Sequence, residues 1–448
     1  MPSLIDQAVA FHARGELAQA EPLYRQVLAG DPDNTVVLIN WGHALNGLGQ
    51  ARPALEAYDR ALALDPAQAF LDLIRGDVLQ SLLRYEEALA AYDRFLRQEP
   101  GLAEGWNSRG LALQNLSRLD EAIQSYARAE ALAPGLAAAH LNRGLCHLLM
   151  QDFGQGLPLY EWRKRMPQPM EARTYAQPLW TGAQDIRGKT LFTYVEQGLG
   201  DAIQFYRYVG FALARGAKVV LSAPDRLVAL LSSATPAAEL IGWGQVPAAF
   251  DFHIPLASIP LAVGMCADTI PASDPYLTAE PERAARWKSV IGDHGFRVGI
   301  AWQGLEQVRG LEGKSFPLAA LAGIAALPGV RLISLQKGEG AEQRDHLPAG
   351  MAVETYAFDE GPDAFLDTAA MMTACDLVIT ADTAPAHLAG ALGLPTWVAL
   401  KHVPDWRWFL GRDDSPWYSS LRLFRQMATA DWDSVFDRMA RELVSRRS

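Results

Sequence analysis

The sequence predicts two architectures in one chain, an all-α solenoid of helical repeats followed by an α/β module of two doubly wound lobes. Two observations predict it. Four residue types recur every 34 residues through the first third of the chain, and beyond it short apolar runs alternate with amphipathic stretches. A chain of 448 residues, at about 150 per domain, holds about three folding units. Half of it is hydrophobic and a fifth charged, which supplies ample cores and excludes a disordered chain, a collagen-like repeat or a disulfide miniprotein.

The repeat comes first. Prolines stand at Pro32, Pro66, Pro100 and Pro134, and glycines at Gly42, Gly76, Gly110 and Gly144. Ala20, Ala54, Ala88 and Ala122 keep the same step, as do Tyr24, Tyr58, Tyr92, Tyr126 and Tyr160. Each unit reads as two helices: small residues let them approach, tyrosine fills the gap, and proline ends the second helix. The pattern resembles the tetratricopeptide repeat. Four full units cover about residues 1–136, and a degenerate fifth, with Gly156 where alanine stood, carries the solenoid through EWRKR to 165. A degenerate last unit suits a cap or a junction.

The resemblance implies a concave face lined by first helices that holds a peptide or a partner protein. Asn40 and Asn142 share one position of that face and Asn107 sits one place earlier. A carboxamide both donates and accepts, so these asparagines are candidates for gripping the extended backbone of an acceptor. Ile74 and Ser108 interrupt the ladder, and asparagine as simply a common residue at this repeat position is the alternative.

Residues 166–188 contain Pro167, Pro169 and Pro178 without a sustained period and read as a linker. From Lys189 the runs LFTYV, KVVLS and AFDFHIP alternate with helical stretches, and the pattern restarts with RVGIAW, RLISL, DLVIT and TWVAL. Strands alternating with helices imply parallel sheets covered on both faces. The lobes are placed at 189–278 and 279–425. Residues 426–448 form an amphipathic helix, started by Asp431 or Asp433, with Val435, Phe436, Met439 and Leu443 on one face. It is expected to brace the lobes by crossing back to the first.

Several function classes are excluded. A net charge of -11 argues against nucleic-acid binding, which needs clustered cations. Cys146, Cys266 and Cys375 lie far apart in no metal-ligand spacing, as expected in a reducing compartment. The opening MPSLIDQAVAFHARGEL does not read as a signal peptide, and the uncharged stretch of about 254–267 is too short to span a bilayer. A soluble cytoplasmic protein without a membrane span is expected. Asp-x-Asp occurs at Asp31/Asp33 in a repeat turn and at Asp431/Asp433 at a helix start, so no metal site is expected.

Ligands of open parallel sheets bind beyond the carboxyl ends of strands. Two loops fit. EQGLGD, 196–201, follows the strand LFTYV; Gly198 and Gly200 allow close backbone approach to a ligand, and Asp201 stands at the helix start. An N-cap aspartate with turn glycines is the structural alternative. The second loop lies in DLVITADTAPAHLAGALGLPTWVAL, 376–400, where Asp382 and Thr383 form a turn, Thr383 is placed to cap the helix and Pro385 enters its first turn. Free amides there suit a diphosphate, and His387 lies one turn in. Packing of a half-buried His387 on the sheet is the alternative.

ADTAPAHLAGALGLPTWV, together with VGIAWQG, GKSFPL and EQGLGDAIQF in the same order, resembles glycosyltransferase family 9, the bacterial heptosyltransferases. The resemblance spans most of 189–400 and implies the GT-B fold of two Rossmann-like lobes. It implies that Lys314 neutralises the donor diphosphate, that Asp382, Thr383 and the amides near Ala384 contact phosphate, and that Trp302, Gln303 and Gly304 face it too. Ala384 replaces the usual glycine. Gln336 lies where a ribose-binding glutamate is common, and Phe358 and Asp359 lie near the base pocket. Asp201 matches the proposed catalytic base, which takes a proton from the acceptor hydroxyl or orients it. Trp406 and Trp408 in VPDWRWF are candidates for stacking on base or sugar, or for packing, and Arg407 for meeting a phosphate.

The resemblance implies an inverting, metal-independent glycosyltransferase with a nucleotide-sugar co-substrate and no other cofactor. Its organisation is similar to O-linked N-acetylglucosamine transferases, which suggests a protein acceptor, flagellin among them, held by the repeats. A lipopolysaccharide or other glycan acceptor, and a non-catalytic scaffold with a degenerate transferase fold, are the competing expectations.

Overall fold

The computed structural model describes residues 3–167, 173–235, 237–271, 275–304, 313–361 and 364–447; Pro169 of the expected linker lies outside them. The chain divides into two compact units, Met1–Cys146 and His147–Ser448.

Helix pairs build the first unit. They are α1 (Leu4–Ala13) with α2 (Leu17–Gly30), α3 (Thr35–Gly47) with α4 (Ala51–Leu64), α5 (Ala69–Ser81) with α6 (Tyr85–Gln98), and α7 (Ala103–Asn115) with α8 (Leu119–Leu132), after which α9 (Ala137–Leu149) begins. The periodic prolines fall just beyond α2, α4, α6 and α8. The glycine–tyrosine spacing has a steric cause. A Cβ on Gly42, Gly76 or Gly110 would lie 2.4, 2.4 or 2.6 Å from Cε1 of Tyr58, Tyr92 or Tyr126, so each fully buried tyrosine occupies the space that glycine leaves.

The second unit includes α10 (Phe153–Tyr160). Gly156 departs from the repeat alanine because its Cβ would sit 2.6 Å from Leu148 Cγ. The sequence pattern ends the solenoid at 165, whereas the compact units divide at Cys146. Side chains of α10 account for that placement: Phe153 and Tyr160 pack edge-on against Trp406 at 6.5 and 5.9 Å between ring centroids, and Phe153 meets Phe409 at 5.9 Å.

Two parallel sheets follow. The first comprises β1 (Thr190–Tyr194), β2 (Lys218–Ser222), β3 (Glu239–Ile241) and β4 (Phe252–Pro255) in the order β3-β2-β1-β4. The second comprises β5 (Phe296–Ala301), β6 (Val330–Ser334), β7 (Val353–Glu354), β8 (Leu377–Ala381), β9 (Thr396–Leu400) and β10 (Leu421–Arg425), in the order β10-β9-β8-β5-β6-β7. Both orders reverse direction beside their first strand, at β1/β4 and at β5/β8, the switch point where ligand crevices form in such sheets. The helices are α11 (Leu199–Tyr206), α12 (Val209–Ala214), α13 (Asp225–Ala234), α14 (Ile259–Ala262), α15 (Pro281–Ile291), α16 (Ala322–Ala325), α17 (Leu366–Thr373), α18 (Ala384–Ala391) and α19 (Trp432–Arg447).

The expected strands LFTYV, KVVLS, AFDFHIP, RVGIAW, RLISL, DLVIT and TWVAL all carry strands. Two short strands, β3 and β7, and the edge strand β10 add to them. The end of the expected linker is ordered along β4: Trp180 is buried and its N–H donates to the His253 carbonyl at 2.9 Å. The terminal helix corrects an expectation. Asp431 does cap it, accepting from Ser434 N–H at 3.1 Å, but Val435, Phe436, Met439 and Leu443 join the second lobe's core with Phe316, Leu321 and Ile324 instead of crossing to the first lobe.

Candidate functional site

Three loops at the two switch points carry the expected residues: 196–201 after β1, 302–304 after β5, and 382–384 after β8. Helices α11 and α18 pack against each other and bring the first and third together. Gly200 is the close approach. A Cβ there would lie 2.9 Å from His387 Cδ2 and 3.5 Å from Ala384 Cα, so its bareness serves the close packing of α11 on α18. Gly198 is the N-cap of α11, and its N–H donates to Asp201 Oδ2 at 3.0 Å. Asp201 is thus in the first turn of α11, not at its cap, and its Oδ1 accepts from the Arg407 guanidinium.

Around the second switch point the chain folds onto itself. Gly304 N–H donates to Ser315 Oγ at 3.3 Å, and a Cβ on Gly304 would meet Thr383 Cγ2 at 2.8 Å. Lys314 Nζ lies 3.1 Å from Asp382 Oδ2 and 3.7 Å from Asp405 Oδ2. Burial disfavours the Lys314 charge, but Asp382 and then Asp405 outweigh it and hold its pKa above the ordinary lysine value. Asp382 Oδ1 accepts from Trp408 Nε1 at 2.7 Å. Thr383 is the N-cap residue of α18, yet its hydroxyl donates back to the Ala381 carbonyl at 3.4 Å and makes no cap, contrary to expectation.

His387 is buried, stacks on Trp408 at 5.3 Å, and has Nδ1 3.1 Å from the Tyr418 hydroxyl. Burial first, then Arg407, push its pKa down to about 3, so the ring is neutral at ordinary pH. Both tryptophans of VPDWRWF are buried in protein contacts, Trp406 among Phe153, Tyr160, Phe205 and Trp417.

The remaining expected residues sit apart or underneath. Trp302 is fully buried, its indole N–H donating to the Gly340 carbonyl at 3.0 Å. Gln336 Oε1 accepts from the N–H groups of Trp302 and Gln303 at 3.0 Å each, and its Nε2 donates to the carbonyls of Gln303 and Glu339 at 2.8 Å each. Its amide therefore stitches the 302–304 turn. The Gln303 side chain accepts from Gln343 Nε2 at 2.6 Å. Phe358 and Asp359 form a separate cluster. Lys337 donates to both their carbonyls, and the Asp359 carboxylate caps α17 through Asp367 N–H at 2.8 Å. In the repeats, Asn142 Nδ2 donates to Asn107 Oδ1 at 3.1 Å, and Asn40, in α3, is half-buried.

Sequence reasoning missed three groups. Asp405 bridges Lys314 and Arg407, its carboxyl held below the ordinary range by those two cations against the effect of burial. Tyr418 orients His387, and no motif announces it. Arg163, wholly buried, donates to Glu196 Oε1 at 2.7 Å, to Ser258 Oγ at 2.6 Å and to Glu161 Oε1 at 2.6 Å, fastening EWRKR to the start of the 196–201 loop. The unusual density of charge in EWRKR was the available signal for it.

Among the described residues no group of three or more His, Cys, Asp and Glu side chains forms a metal cluster, and no helix is long and apolar enough to cross a membrane.

Known proteins match parts of this chain. Residues 11–75, 73–137 and 107–161 each match the tetratricopeptide repeat. Protein FlbA of Caulobacter vibrioides is 29% identical over 315 residues, which cover 65% of this chain and 52% of that protein; the chain spans about half the length of this curated relative. Among solved structures, MamA 41-end from Desulfovibrio magneticus RS-1 aligns with a TM-score of 0.35 and 20% identity over 37% of this chain and 96% of that one. YrrB, described as a TPR protein with an unusual peptide-binding site, aligns with a TM-score of 0.33 and 23% identity over 36% and 82%. The matches over residues 11–161 show that the N-terminal part of the chain is built of tetratricopeptide repeats, and it is followed by a parallel α/β module.

Proposed function

We propose that the protein is a GT-B glycosyltransferase that takes a sugar from a nucleotide-sugar donor and passes it to a protein acceptor held by the repeats, with flagellin the first acceptor to test. One observation carries this reading: Asp201, Lys314, Asp382, Thr383 and His387 meet where the switch points of two parallel sheets face each other. The acceptor hydroxyl oxygen attacks the anomeric carbon as its bond to the diphosphate oxygen breaks. The nucleoside diphosphate leaves with that electron pair, and the acceptor proton passes to the Asp201 carboxylate. Lys314 and the amides opening α18 offset the charge of the leaving group, and neutral His387 is a hydrogen-bonding partner beside them.

A second reading, a non-catalytic scaffold, is favoured by a different observation. Lys314 and Arg407 are already paired with Asp382, Asp405 and Asp201. The two readings separate in a calorimetric titration of the full chain with a panel of nucleotide sugars, followed by assay of nucleotide release with flagellin. The transferase reading expects one donor to bind, Lys314→Ala to weaken it by about tenfold or more, and nucleotide release to require acceptor. No binding across the panel would leave the scaffold.

A further inference from the structure

Five charged side chains form one continuous line across the lobes. Asp201 and Asp405 both accept from Arg407, the latter at 2.7 Å, and the other oxygen of Asp405 faces Lys314 at 3.7 Å, which in turn meets Asp382 at 3.1 Å. Of these five, Asp201 alone belongs to the first lobe. The Arg407 side chain is 9% exposed and lies over the rings of Phe205 and Trp406 at 5.3 and 4.8 Å, while the Asp201 and Asp405 side chains are 25% and 24% exposed. The cations are therefore sheathed by aromatic rings and carboxylates, and three carboxylates against two cations leave one negative charge in excess.

We propose that Arg407 is a positioning residue that latches Asp201, and that an anionic ligand reaching Lys314 competes with Asp201 for its guanidinium. The inference rests on reading this site as one for a diphosphate. A carboxylate oxygen held by a guanidinium is a poor proton acceptor, because protonating it forfeits a charge-assisted hydrogen bond. Drawing Arg407 towards phosphate oxygens releases Asp201 for the acceptor hydroxyl. Donor binding then precedes acceptor activation, and Asp405, shared between the two cations, couples the two events.

The test uses inorganic pyrophosphate as the probe, titrated by calorimetry into the full-length protein and into Asp201→Asn, Arg407→Gln and the double variant. The amide of Asp201→Asn still accepts from Gly198 N–H but no longer holds Arg407 by charge, and the site loses one negative charge. Affinity for pyrophosphate is expected to rise about tenfold or more in Asp201→Asn. In the Arg407→Gln background the same change is expected to matter less than about threefold. Equal or weaker binding by a folded Asp201→Asn, with the unchanged protein binding pyrophosphate normally, overturns the latch and leaves the nucleotide-sugar reading standing. Absence of binding in every variant, with UDP as well, overturns both. Should Arg407→Gln fail to fold, the comparison of Asp201→Asn with the unchanged chain decides alone.

Discussion

Lys314 Nζ lies 3.1 Å from Asp382 Oδ2, joining the segment after β5 to the turn after β8. Asp382 also holds the Trp408 indole through its other oxygen. Asp382→Ala strips both partners at once, and a stability loss of about 2–3 kcal/mol is expected in urea unfolding. Asp382→Asn keeps an acceptor for Trp408 and is expected to lose less than half of that. Equal losses in the two variants would show that the charge, and not the indole bond, holds the turn.

The repeat tyrosines differ in what their hydroxyls do, although their rings are equally buried. Tyr126 donates to Gln114 Oε1 at 2.9 Å, whereas the Tyr58 hydroxyl is buried with no hydrogen-bond partner among the described residues. Tyr126→Phe is expected to cost about 1 kcal/mol and Tyr58→Phe to be neutral or slightly stabilising. Gly76→Ala, which pushes a methyl into Tyr92, is expected to cost about 1–3 kcal/mol. Chemical denaturation of the three variants checks the order.

The repeats were legible because their rule is local. A tyrosine beside a glycine one helix away recurs at a fixed step, and the period shows in the letters. The seven main strands were legible as apolar runs, but β3 and β7 are too short to show a pattern, and β10 hides in LRLFR because an edge strand alternates with arginine. The candidate site was legible loop by loop. Its wiring was not: Asp201 and Arg407 stand 206 positions apart and His387 and Tyr418 31 apart, with no spacing rule that links them. Gln336 and Trp302 read as ligand contacts, yet their polar atoms are committed to the backbone, which only the folded turn reveals.

Arg163 supplies a test of the junction. Removing it in Arg163→Met leaves Glu196 buried without its cation, and a loss of about 3–5 kcal/mol is expected at pH 7. Burial already raises the Glu196 pKa above the ordinary value even with Arg163 partly opposing it. Without Arg163 the folded pKa climbs further, so the folded variant gains a proton before the unfolded chain does. Its deficit is expected to shrink as pH falls towards the ordinary glutamate range. Arg163→Met with Glu196→Gln is expected to recover more than half of the loss and to lose most of the pH dependence. A deficit that stays constant from pH 8 to pH 5 would assign the effect to packing.

His387 gives the pH dependence its clearest sign. Its folded pKa is pushed down to about 3, by burial first and by Arg407 next, with Asp405 opposing and Arg207 and Lys314 adding to the fall. The unfolded chain takes up this proton near pH 6.5 while the folded protein refuses it. Between those values the unfolded state holds more protons, so the contribution of His387 is fully present above about pH 6.5 and declines as the solution is acidified. One proton changes stability by at most about 1.4 kcal/mol per pH unit. His43 and His253 are also lowered by burial and titrate in the same direction, but they persist in a His387→Gln variant. The difference between the two proteins therefore isolates His387: the acid limb of the variant, followed by thermal unfolding from pH 7 to pH 4, is expected to be shallower, while above pH 7 the two curves run parallel. A limb equally steep in both would mean that His387 is protonated in the folded state, and hence that the ring faces a charge partner and not the buried Tyr418 hydroxyl.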